Sequence, residues 1–208
     1  METLRYHCAC IGQFWRERLR KTTLIMAVVL VVSGLLGYFM CAANPDVTNA
    51  VVEYFLSAML DSGVISETGT LSLIDLLLNN WMAILMCVVY GFIPFLFLPV
   101  LILFSNAYLV GVMGAYYHIN GIPMLVFFAG ILPHGIFELP ALVIAAAMGF
   151  ILCLTLVKKL LHTPNTPPMK ELASDTLRTL LLVAFPLLLC AAVVEAYITP
   201  LVITTVAG

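Results

Sequence analysis

The run LSLIDLLLNNWMAILMCVVYGFIPFLFLPVLILFSNAYLVGVMGAYY, residues 71–117, decides the fold, because Asp75 is its single charged residue. As one helix it would extend about 70 Å, whereas the hydrocarbon of a bilayer is about 30 Å thick. It therefore holds two spans, 71–93 and 95–117. They reverse near Gly91–Pro99, where Pro94 and Pro99 disfavour continuous helix. Barrel-type alternation is absent, so the spans are helical.

The whole chain agrees. Of 208 residues, 63% are hydrophobic and 10% charged, whereas a soluble domain carries nearer a quarter charged. A water-soluble fold of this size could not cover its surface. The expectation is an all-α, polytopic transmembrane bundle forming one membrane domain over 1–208. It has about five spans, one broken, half-inserted helix and an outer amphipathic helix.

Charge sets the orientation. Arg5, Arg16, Arg18, Arg20 and Lys21 precede the first apolar run, and Lys158, Lys159, Lys170 and Arg178 surround a late polar loop. Asp46, Glu53, Asp61, Glu67 and Asp75 lie between the first two apolar runs, without Lys or Arg. Basic residues beside spans mark the cytoplasmic side. Both blocks are therefore expected in the cytoplasm of a cell-membrane protein, with an even number of spans between them.

Residues 1–21 read as a cytoplasmic lead-in with an interfacial helix from Trp15 through Lys21. The first span, 22–43, reads as an uncleaved signal-anchor, because it is longer than the apolar part of a signal peptide. Segment 44–70 is extracytoplasmic. Within it Val47, Ala50, Val51, Tyr54, Phe55, Ala58 and Met59 recur at helical spacing, with Glu53, Ser57 and Asp61 opposite and Gly63 as C-cap. Such a helix caps the bundle, lies along the leaflet or meets a partner.

Residues 123–157 are too long for one simple span and too short for two. They read as a half-inserted helix of about ten residues followed by a full span from about Pro133. A cytoplasmic loop, 158–175, and a fifth span, 176–199, kinked at Pro186, leave the carboxyl terminus outside. The six cysteines read as packing residues, and the run His7-Cys8-Ala9-Cys10 is only a weak metal signal.

Chemistry concentrates in Pro133-His134-Gly135-Ile136-Phe137-Glu138-Leu139-Pro140-Ala141. His134 and Glu138 are four apart, so in a helix they share one face. Pro133 suits the first helical position, and Pro140 cannot donate to the Ile136 carbonyl. Ionisable groups in a membrane span are costly, so they usually face the interior in pairs. Ala141, Ala145 and Gly149 continue the stripe, suited to pack on Ala107, Gly111 and Ala115 of the third span. Asn106 would then hydrogen-bond into a buried polar knot.

These two motifs, Pro133 to Ala141 and Asn106 to Gly111, resemble those of the stage II sporulation protein M family. Ala107 stands where that family usually has Gly. The resemblance implies a multi-pass membrane protein, which in sporulating members scaffolds membrane-anchored cell-wall hydrolases during engulfment.

Three functions compete. A non-enzymatic scaffold or assembly factor makes His134, Glu138 and Asn106 a structural knot. It expects the lipid bilayer and other membrane or membrane-anchored proteins as partners, with self-association left open. A transporter or permease-like subunit would use broken helices for a substrate site. An intramembrane metal-dependent hydrolase would need three or four ligands where His-x-x-x-Glu supplies two. The expectation is therefore no catalytic residue, no metal and no cofactor, and nothing in a net charge of −2 points to nucleic acid.

Overall fold

With no water available inside a bilayer, an apolar chain satisfies its backbone by coiling on itself. The computed structural model describes residues 2–61 and 72–207, and all regular structure among them is helical. The helices are α1 (Glu2–Phe14), α2 (Arg20–Ala42), α3 (Pro45–Asp61), α4 (Leu73–Tyr90), α5 (Leu98–Ile119) and α6 (Met124–Leu160). Then come α7 (Met169–Thr179), α8 (Phe185–Val193) and α9 (Thr199–Ala207). Five rods are long and apolar enough to cross a membrane: Arg5–Ala42, α4, α5, α6 and Met169–Val206. The Gly63 C-cap and the turn at 64–70 fall outside the described residues.

Three wide turns join helices into longer rods. At Trp15–Leu19, Leu180–Ala184 and Val194–Ile198 the ladder shifts by one residue, so Arg20, Phe185 and Thr199 donate to carbonyls five residues back. Each such bulge holds one surplus residue. Consequently the first rod runs from the amino terminus through residue 21 without a boundary there. Pro186 follows a widened turn within a rod that continues to Ala207.

The basic end of the molecule is defined by contacts. Arg18 lies 3.5 Å from Glu171, Arg178 lies 2.7 Å from Asp175, and the Arg178 guanidinium sits 5.7 Å from the Tyr6 ring centre. Both basic blocks therefore lie at one end. At the other end α3 folds back, with Thr48 Oγ1 donating to the Cys41 carbonyl at 2.7 Å and Asn120 Nδ2 donating to Asn49 Oδ1 at 3.4 Å. Between α4 and α5 the chain reverses over 91–97. Phe95 and Phe97 adopt left-handed backbone there, and Cys153 Sγ donates to the Ile93 carbonyl at 3.3 Å.

α6 is the central post. The most apolar window of α6 is 61% buried, against 22% for α4 and for the first rod. Here one expectation is corrected: no half-inserted helix ends before residue 133, and Pro133 is not a first-turn residue. Met124–Leu160 is one helix with Pro133 and Pro140 in its interior. Proline removes one backbone donor, but in a membrane helix neighbouring groups compensate and the ladder survives. Towards the basic end the core is closed by Met26, Ile84, Leu103, Met148 and Leu152, none more than 1% exposed.

The small-residue stripes pair differently from the expectation. Ala107, Gly111 and Ala115 of α5 pack on α2, where a Cβ on Gly111 would meet the Gly34 carbonyl and one on Gly37 the Tyr108 carbonyl. Gly149 of α6 instead packs on α4, where a Cβ would meet the Cys87 carbonyl. The two stripes thus form separate seams, α2–α5 and α4–α6, rather than one. Close backbone approach of this kind gains dispersion contacts that lipid tails cannot match.

Candidate functional site

A cavity of about 360 Å³ opens between α4, α5, α6 and the last rod, away from the basic end. Its polar lining is Asn79, Asn80, Asn106, His134, Glu138 and Glu195, and Phe55 and Met59 of α3 roof it. His134 and Glu138 are one turn apart on α6, with His134 Nε2 3.9 Å from Glu138 Oε2. That is too long for a hydrogen bond.

Glu195 arrives from the opposite wall on the wide turn Val194–Ile198. Pro200 lacks the N–H that a regular ladder would send to Ala196, and the ladder widens just before it. The Thr199 N–H bonds to the Val194 carbonyl, and its hydroxyl donates to the same carbonyl at 3.2 Å. With its proton so engaged, Thr199 Oγ1 is left to accept from His134 Nδ1 at 3.4 Å. In the neutral imidazole that network leaves Nε2 unprotonated, 3.9 Å from Glu138 Oε2.

One ligating atom each from His134, Glu138 and Glu195 lies within 4.8 Å of the others. Every Lys and Arg sits in the two basic blocks. At that separation and an effective dielectric of about 20, two bare carboxylates repel by about 3.5 kcal/mol. The pair therefore calls for a positive charge or a proton between its members.

The sequence-selected residues divide as follows. His134 and Glu138 come together as expected. Asn106 lines the same cavity, but its amide donates to the Ile102 carbonyl at 2.8 Å instead of entering the knot. A short side chain on a helix reaches its own backbone more easily than the next helix. Gly135 is buried, with space for a Cβ 3.5 Å from Ile131, while Pro133 and Pro140 shape α6 without lining the cavity. Ala141 and Ala145 are fully buried packing residues.

Sequence reasoning missed Glu195 as a member of the cluster, together with Thr199, Asn79 and Asn80. One signal was available for Glu195. It is an acid far along an apolar stretch, and an acid in a span is a site candidate by default.

Comparison with known proteins gives the same frame. The family model described as stage II sporulation protein M matches residues 26–200, which include every residue of the cavity. An uncharacterized protein of Methanocaldococcus jannaschii is 33% identical over 128 residues, covering 62% of this chain and 71% of that one. No solved structure matches the chain.

Proposed function

This chain belongs to the stage II sporulation protein M family, and from that membership we propose that it is a non-enzymatic, multi-pass membrane scaffold. In this reading it organises membrane-anchored proteins on the outer face of the cell membrane, cell-wall hydrolases among them in a sporulating cell. The basic end faces the cytoplasm, as the positive-inside rule requires, and α3 faces outward with the carboxyl terminus.

One observation carries this reading. α3 is anchored by buried Thr48 and Val52, yet presents Val47, Val51 and Tyr54 at i, i+4 and i+7 to the outside, at 56%, 36% and 77% exposure. An apolar row that the described residues of the bundle leave uncovered suits a partner's membrane-proximal segment. Transport is less well supported, because the apolar plug around Leu103, Met148 and Leu152 closes the core between the cavity and the basic end.

The test is a photo-crosslinking residue in place of Tyr54, activated in native membranes. The expected product is a discrete adduct with a membrane-anchored protein, lost when Val47 and Val51 are changed to Ser. Adducts with lipid alone, or with a second copy alone, would end the reading.

A further inference from the structure

We infer that His134, Glu138 and Glu195 form a binding site for one divalent first-row transition cation, of the Mn²⁺, Fe²⁺ or Zn²⁺ class. The site joins α6 to the last rod beneath α3. The inference does not depend on the scaffold reading, since its readout is metal content rather than a partner.

Three observations converge. The first is the donor set: one imidazole nitrogen and two carboxylates from two helices, within 4.8 Å of one another. Metal–ligand bonds of about 2.1 Å place tetrahedral ligands about 3.4 Å apart, so closure needs movements of about an ångström. Side-chain rotation supplies that in a cavity of about 360 Å³. Mixed imidazole and carboxylate ligands favour these cations over Mg²⁺ or Ca²⁺, which take oxygen sets, and over soft ions, which take thiolates.

The second is the orientation of His134. A ligating histidine ordinarily has its other ring nitrogen held by a hydrogen bond, which fixes tautomer and direction. Thr199 Oγ1 does this at Nδ1, because its own proton is engaged with the Val194 carbonyl. Nε2, unprotonated in that tautomer, then lies 3.9 Å from a carboxylate oxygen. Two electron-rich atoms that face each other across a gap too long for a hydrogen bond leave room for a cation.

The third is charge. Two carboxylates, a neutral imidazole and one divalent cation sum to zero, the state that an apolar surrounding tolerates best. Asn79, Asn80 and Asn106 in the same cavity lining supply amide groups for waters that complete the coordination.

The experiment uses the full chain, purified in detergent without chelators and analysed for metals. It is then stripped with EDTA and titrated with Mn²⁺ or Zn²⁺ while thermal unfolding is followed. One equivalent per chain and a rise in the unfolding temperature are expected. Glu195→Gln should weaken binding by about tenfold or more. Thr199→Val, which keeps volume but loses the hydroxyl, should weaken it in the same direction and serves if Glu195→Gln does not fold.

A control variant, His7→Ala with Cys8→Ser and Cys10→Ser, should bind as the wild type does. Metal no higher than in a non-binding control protein, with no titration response, would overturn the inference. So would full occupancy in folded Glu195→Gln. Metal lost only in the amino-terminal variant would place the ion on the His7-Cys8-Ala9-Cys10 run and refute the site.

Discussion

His134 is held on one side by Thr199 and faces Glu138 on the other, so neither side chain can be altered without disturbing the other. In the cation-loaded protein His134→Ala and Glu138→Gln should each lower stability in detergent by about 1–3 kcal/mol, since each removes one ligand and leaves the others uncompensated. The double variant should lose at least about 0.5 kcal/mol less than the sum. Thermal or denaturant unfolding of the four proteins measures this, and strictly additive losses would mean that the groups do not act together. Asn106→Ala is the contrast. Its amide bonds to its own helix and its side chain is exposed, so stability should change by no more than about 0.5 kcal/mol. The His134–Glu138 pair was legible from four-residue spacing, because helical periodicity needs no tertiary knowledge. Glu195 was not, because it reaches the pair only when a second rod packs on α6 with a widened turn in register.

Glycines decide how closely the helices approach, and their effects should be sharply position-dependent. Gly111→Val drives a side chain into the Gly34 carbonyl, and Gly149→Val into the Cys87 carbonyl. Each should cost about 3 kcal/mol or more, since backbone cannot yield as a flexible side chain does. Gly130→Ala should be neutral or stabilise by up to about 1 kcal/mol. Its Cβ would meet only Ile203 Cδ1 at 3.7 Å, and alanine is the better helix former. Unfolding in detergent discriminates the two classes. The small-residue repeats were visible in the sequence, but not what they face. A small-xxx-small pattern marks a face able to approach something and carries no information about which helix comes. The unbroken α6 was hidden for a related reason: two prolines read locally as a break, while burial on several sides holds the helix together.

The molecule as a whole has a basic end and an acidic end, and in the proposed orientation only the first faces the cytoplasm. A membrane-impermeant thiol reagent applied to intact cells should therefore spare Cys8, Cys10 and a cysteine replacing Asn165, and should modify one replacing Asn49. Labelling of the first group before lysis would reverse the orientation. The span pattern and the common side of the two basic blocks were readable from charge alone, because long apolar rods leave charged residues few places to go. The cavity beneath α3 was not, since it forms only where the last rod packs against α4, α5 and α6.

The length of α6 has a bearing on that cavity. Counting from the lysines that close its basic end, Glu138 is about 30 Å up the axis, and Glu195 is about 26 Å above Arg178. A hydrocarbon slab of about 30 Å ends near that level. The imidazole and its two acids thus stand at the far shoreline of the lipid, with the first turns of α6 rising past them. In the proposed orientation an ion from outside the cell would meet them after slipping under Phe55 and Met59, with no oily layer to traverse.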